Sequence, residues 1–254
     1  MTNPLPLAFD LGPFARQLLR RTNTQSVGRA IEQMVDAYSA HADMRFAYEI
    51  MVALNEDARI DDETGVARYT SVERGALFGQ AVIYYARATI VSGSRRRSNV
   101  VGRLSAEELK VHKRIEEMRH QAFAHFDSKA SYKGYDFAIE KPILVMGNDR
   151  PTLRTAIKRM VLNAQLYGDV LHQVKVMLEI LDRHISEKSE AAREALWNLL
   201  DQEPKLGLEI RKLPFDAVAF FNDPTMARDF LTTSARVTQG HMHGEETEIL
   251  TREL

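Results

Sequence analysis

Glu107-Glu-Leu-Lys-Val-His-Lys-Arg-Ile-Glu-Glu-Met-Arg-His-Gln-Ala-Phe-Ala-His-Phe-Asp127 is the stretch whose reading decides the fold. At about 100° per residue, Val111, Ile115, Met118 and Ala122 fall on one side of a helix. Ser105, with Glu108 three residues on, forms the sequence pattern of a capping box. These features predict a helix near residues 105–128 with a single buried stripe. The same three-and-four spacing recurs on both sides of it, so the sequence predicts an all-α bundle of about four long helices.

Toward the N-terminus, Val27, Ile31, Met34, Val35 and Tyr38, then Met44, Ala47, Tyr48, Met51 and Leu54, predict one amphipathic helix or two consecutive ones from Gln25 to about Asn55. The polar run from Asn55 to Gly65 has no apolar period and reads as a solvated connection. A further helix runs from about Ser71, its expected N-cap, to Val91, with Leu77, Val82, Ile83, Tyr84 and Ala88 as its stripe. Ser92-Gly-Ser-Arg-Arg-Arg-Ser98 ends it in a basic turn.

Toward the C-terminus, Tyr135–Met146 partly alternates and contains Pro142, which predicts a short β insertion of one or two edge strands. From Pro151, at the expected first helical position, to about Ile185, the residues Leu153, Ile157, Met160, Val161, Ala164, Leu171, Val174, Met177, Leu178 and Leu181 predict the longest helix. Glu190–Leu200, with the single Trp197, reads as a separate short helix. Pro204, Pro214 and Pro224 break the chain beyond it into short pieces, and Thr238–Leu254 reads as a mobile polar tail. The expected organisation is an N-terminal arm over 1–24, a helical bundle over 25–185 and an irregular C-terminal extension over 186–254.

Composition narrows the chemistry. The chain has 254 residues, 34 basic and 35 acidic side chains and no cysteine. Thiolate metal sites, disulfides and cysteine nucleophiles are excluded, which leaves histidines and carboxylates as the ligand or base candidates. A net charge of −1 supplies no long-range attraction for a polyanion. Of the basic residues 24 are Arg, and between Arg87 and Arg119 nine basic residues face four acidic ones, a local excess of +5. Arg95, Arg96 and Arg97 within that stretch are candidate phosphate-backbone contacts. No run approaches the roughly 18–20 apolar residues of a spanning helix, and the N-terminus lacks a secretory pattern, so a cytoplasmic location is expected.

On the wheel of the 105–128 helix, Arg119 lies about 70° to one side of the stripe and His125 about 50° to the other. Both are border positions, where a side chain is held by packing yet faces a groove. Six residues separate them by about 120° and about 9 Å, too divergent to grip one atom on a single helix. A two-fold pairing of the helix with its copy would gather both residue types around one groove.

Arg119-His120-Gln121-Ala122-Phe123-Ala124-His125, followed by Asp127, resembles the R-x(4 to 6)-H motif of the HEPN superfamily, with five intervening residues. It is nearest the subgroup whose helix ends in Arg-polar-x-x-Phe-Ala-His-x-Asp, and the likeness covers roughly residues 25–185. The resemblance implies an all-α bundle that dimerises through the motif helix and, in active members, a metal-independent endoribonuclease without cofactors. It implies that His125 acts as acid or base and that Arg119 stabilises phosphorane charge. His120 takes the family's polar position, and Asp127 orients His125. It also implies a defence, toxin or mobile-element setting with RNA as substrate and a neutralising antitoxin or other protein as partner. Two alternatives stand beside it: a catalytically silent HEPN-like module that binds nucleotides or proteins, and a helical bundle that matches by accident. In that last case Arg119 would pair with Glu116, and His125 would sit at a helix C-terminus favoured by the dipole.

Other candidates are weaker. Glu108, His112 and Glu116, spaced by four, are read as a solvated helix face rather than a metal site. His241 and His243 fall in the polar tail, and His172 and His184 read as surface or satisfied histidines.

Overall fold

The computed structural model describes residues 7–65, 68–89, 100–120, 131–132, 135–136, 138–146, 151–159, 164–232, 237–242 and 245–250. Among these the chain is mostly helical. The helices are α1 (Leu11–Leu19), α2 (Gln25–Thr64), α3 (Ser71–Thr89), α4 (Ala106–Met118), α5 (Ala164–Gln202), α6 (Leu206–Ile210), α7 (Ala217–Phe221) and α8 (Pro224–Thr232), with a single 3-10 turn at Val101–Arg103 before α4. The strands form separate antiparallel pairs: β1 (Ser131–Tyr132) with β2 (Tyr135–Asp136), β3 (Ala138–Met146) with β4 (Pro151–Arg159), and β5 (Val237–Met242) with β6 (Glu245–Leu250). The expected helical architecture with a short β insertion is therefore present. No described helix is long and apolar enough to cross a membrane.

Several local expectations are corrected. The run from Asn55 is not a connection: α2 continues through it for three more turns and stops at Gly65, whose φ of 69° only glycine adopts without strain. Pro151–Arg159 is a strand rather than the start of a helix, because the Leu153–Ile157 spacing of four is even and so also shares one face of a strand. The helix begins at Ala164 and runs unbroken through Ile185 and Trp197 to Gln202, so Glu190–Leu200 is not separate. Thr70, not Ser71, caps α3: its N–H donates to Glu73 Oε2 at 2.7 Å and its hydroxyl oxygen accepts from Glu73 N–H at 3.3 Å. The polar segment from Thr238 pairs as β5–β6 instead of lacking structure.

The chain divides into two compact units, one of Met1–Val35 with Glu187–Leu254 and one of Asp36–Ser186, and both α2 and α5 contribute to each. In the Asp36–Ser186 unit the core is built from Met44, Ala47, Met51 and Leu54 of α2, Phe78, Ala81, Val82 and Tyr85 of α3, Ile115 and Met118 of α4, and Val170, Val174, Met177 and Leu181 of α5. The long helices α2 and α5 pack together there. His41 Nε2 meets Asp182 Oδ1 at 3.2 Å, and the Tyr167 hydroxyl donates to the Met51 carbonyl. Each fully buried aliphatic side chain in such a core contributes about 1.5–3 kcal/mol. On α3 the expected stripe holds at Val82 and Ala88, which are buried, and at Leu77 and Tyr84, which pack against the core, while Ile83 is exposed and Tyr85, outside the expected stripe, is fully buried. On α2, Val35 and Tyr38 likewise face outward.

The extra turns of α2 exist to hold the next helix. Asp57 is buried and accepts the N–H groups of Arg68 at 2.6 Å and Tyr69 at 3.0 Å, together with Arg74 Nε at 2.5 Å. Arg74 Nη2 also reaches Asp61 at 3.1 Å. Burial by itself would raise the Asp57 carboxyl, but the Arg74 bond and the two backbone donors outweigh it and hold the group below its ordinary value. An acidic sequence that reads as solvated is thus an internal clamp between α2 and the start of α3.

In the Met1–Val35 and Glu187–Leu254 unit, Phe14, Ala15 and Leu18 of α1 pack on Val27 and Ile31 of α2, Leu199 of α5 and Leu206 of α6. The Asp10 side chain caps α1 through Gly12 N–H at 2.8 Å. Gly28 allows α1 and α2 to approach closely: a Cβ there would lie 2.9 Å from the Ala15 carbonyl oxygen and 3.1 Å from the Leu19 nitrogen. The N-terminal segment is tied to residues 213–215 by Asp10 N–H to the Leu213 carbonyl at 2.8 Å and Phe215 N–H to the Ala8 carbonyl at 2.9 Å. Ala217, Phe221, Met226 and Ala227 form a second small core, bordered by the rings of Phe215, Phe220 and Phe230.

Candidate functional site

The motif helix is α4. Its start is fixed as the sequence predicts: Glu108 N–H donates to Ser105 Oγ at 3.3 Å, and Ser105 N–H donates to Glu108 Oε2 at 2.7 Å. Glu107 and Glu108 in the first turn also complement the positive end of the helix dipole. Ile115 and Met118 are buried in the Asp36–Ser186 core and Val111 packs against it, which sets the rotation of the helix.

That rotation places Arg119 at the C-cap, half-buried, with His120 exposed beside it. Arg119 Nη1 lies 3.4 Å from His120 Nδ1. Arg119 and His120 continue the helical path of α4 as a π-helical turn, and the half-buried stem of Arg119 restrains where its charged head points. The guanidinium can therefore meet an oxyanion from solvent without being desolvated first. The expected border position of Arg119 is what the packing produces.

Among the remaining expected site residues, His125 and Asp127, and likewise Arg95, Arg96 and Arg97, lie outside the described residues, as does His243. His241 lies in β5, opposite Glu246.

The Glu108, His112 and Glu116 series is not a solvated face. Glu108 is engaged in the cap, while His112 is buried and its Nδ1 is 2.8 Å from the Tyr85 hydroxyl. No group of three or more His, Asp or Glu side chains that could hold a metal occurs among the described residues. His172 is exposed, as expected, and the buried His184 has its Nδ1 3.5 Å from Arg103 Nη2.

The Tyr85–His112 pair is the feature that the sequence reading missed. Burial raises the Tyr85 phenol above its ordinary value, Gln173 offsetting this and the charge of Glu116 adding to it. Burial lowers His112, while Glu116 pulls it back up and Lys113 pushes it further down. Both shifts favour the neutral forms, so the phenol and the imidazole share one hydrogen bond between uncharged groups. Gln173 is fully buried next to them; its amide influences the phenol, yet neither Oε1 nor Nε2 makes a hydrogen bond of ordinary geometry. A signal was present: Tyr85 continues the Phe78, Ala81, Val82 spacing of α3, and His112 is three residues before Ile115. The three residues join α3, α4 and α5 from inside and so fix the register of α4, which leads into Arg119. Comparison of the chain with protein-family models, with curated proteins and with solved structures finds no match in any of the three.

Proposed function

We propose that the chain is a metal-independent endoribonuclease of the HEPN type that acts as a homodimer. The observation that carries this reading is Arg119 on the helical continuation of the capped, core-packed α4, half-buried beside the exposed His120 within the Arg119-His120-x-x-Phe-Ala-His125-x-Asp127 string.

In the proposed reaction His125 accepts the proton of a ribose 2′-hydroxyl, or delivers one to the departing 5′-oxygen, since imidazole alone titrates near neutral pH without help. The 2′-oxygen attacks phosphorus and the bond to the 5′-oxygen breaks, leaving a 2′,3′-cyclic phosphate and a 5′-hydroxyl. Arg119 stabilises the negative charge that gathers on the phosphorane oxygens, where a guanidinium supplies paired donors. His120 contacts phosphate from the adjoining position, and Asp127 orients His125. Arg95, Arg96 and Arg97 track the RNA backbone, and the partner copy brings its own motif helix to the same groove. The proposed setting is cytoplasmic defence or toxicity, held in check by a neutralising protein.

Incubation of the purified protein with structured and unstructured RNA in excess EDTA tests the reading. Cleavage is expected for the wild type and is expected to be lost in both R119A and H125A. A folded dimer that cuts no RNA would refute the catalytic reading and favour the silent, nucleotide-binding alternative.

A further inference from the structure

Among the described residues, the β3–β4 hairpin groups several exposed apolar side chains. Its register places Leu144 opposite Leu153, Pro142 opposite Thr155 and Met146 opposite Pro151, so that one face carries Leu144, Met146, Leu153 and Ile157. These four are 60%, 74%, 74% and 60% exposed. The opposite face is mixed: it carries Lys141, Ile143 and Val145, with Ile143 across from Arg154. Every described side chain of the two strands is exposed, and among the described residues no third strand pairs with either outer edge. An isolated two-stranded hairpin is at best marginally stable in water, so nine-residue strands with one apolar face gain their stability from cover.

We propose that this hairpin is a self-association arm, in which the Leu144, Met146, Leu153 and Ile157 face of one chain packs on the same face of a second copy. The arithmetic of area supports a copy as the occupant. At about 180–200 Å² per aliphatic residue, the four exposures amount to about 500 Å² per chain and about 1,000 Å² for a pair, the size a specific interface has to clear. The face is self-complementary at its centre: a two-fold axis through the Leu144–Leu153 pair sets aliphatic side chains against aliphatic ones, and the charged position Glu140, across from Ile157, lies toward the far end of the strands. The net charge of −1 adds almost no repulsion between copies. The lysine and arginine of the other face are left in water, which determines which face is used. This arm is separate from the motif helix, and it stands whether or not the chain cuts RNA.

Sedimentation equilibrium of the full chain tests it, with L144K, L153K, the double variant L144K/L153K, and I143K as the opposite-face control. The wild type is expected to be an assembly whose mass falls twofold in L144K/L153K, with each single variant weakening self-association about 100-fold or more. I143K is expected to change it less than about tenfold. Because the chain has no cysteine, L144C adds a unique thiol; a short bis-maleimide should then link two chains, as it should not in L144C/L153K. Far-UV circular dichroism of the lysine variants is expected to overlay on the wild type. A monomeric wild type, an assembly unchanged in L144K/L153K, an I143K variant as disruptive as L144K, or a monomer that instead floats with phospholipid vesicles would each overturn the proposal.

Discussion

Replacing Tyr85 by Phe removes one oxygen from the Asp36–Ser186 core and leaves His112 Nδ1 without the hydroxyl partner that now lies 2.8 Å away. Water cannot easily replace it, because Tyr85 is fully buried and His112 is 5% exposed. The cost is the desolvation of an unsatisfied ring nitrogen, about 1–3 kcal/mol, reduced slightly because the phenol oxygen itself no longer has to be buried. The double variant Y85F/H112L removes both partners, so it is expected to be more stable than the sum of the single effects predicts, by a coupling of about 1–2 kcal/mol. Urea denaturation followed at 222 nm is the suitable assay, since the single Trp197 is 55% exposed and belongs to the other unit. The pH dependence has a definite sign. Burial depresses His112 below its unfolded value near 6.5, so its contribution is complete above that pH and is lost as pH falls through the depressed folded value. Y85F stability within about 0.3 kcal/mol of wild type, or a double variant that is simply additive, would refute the claim that the pair ties α3 to α4.

Two glycines should respond in opposite directions. Gly28→Ala forces α1 away from α2 and is expected to cost about 1–3 kcal/mol, whereas Gly168→Ala, at an exposed site in α5 where a Cβ meets nothing within 4 Å, is expected to add about 0.5–1 kcal/mol; thermal denaturation separates them. Asp57→Asn leaves Arg74 without its buried carboxylate and is expected to lower the urea midpoint and to raise hydrogen exchange at Arg68 and Tyr69. Because the Asp57 carboxyl is held below its ordinary 3.8, its contribution is complete above that pH and fades as pH falls through the lower folded value, a loss that D57N should not show in an acid titration.

The helices are legible in the sequence wherever apolar spacing has only one interpretation, and the capping box of Ser105 and Glu108 locates the start of the motif helix to the residue. Spacing misleads where two periods coincide, as at Leu153 and Ile157, whose even separation fits strand and helix alike. Polarity misleads when it is equated with exposure. Asp57 and His112 are polar, yet each is buried because a specific partner, Arg74 or Tyr85, comes from an element distant in sequence. Such long-range satisfaction leaves no local periodic trace. For the candidate site, Arg119 is legible as a border position because the stripe of Ile115 and Met118 that orients it is itself local, whereas His125, the other border position, lies outside the described residues.

Cleavage of a defined RNA oligonucleotide in excess EDTA, with the product termini identified by mass spectrometry, bears most directly on the proposed function. A HEPN-type ribonuclease should yield a 2′,3′-cyclic phosphate and a 5′-hydroxyl, with no cleavage when the ribose at the cut position is replaced by 2′-deoxyribose and none by R119A or H125A. Cleavage that persists at the 2′-deoxy position, that requires a divalent metal, or that survives loss of the Arg119 guanidinium would contradict it.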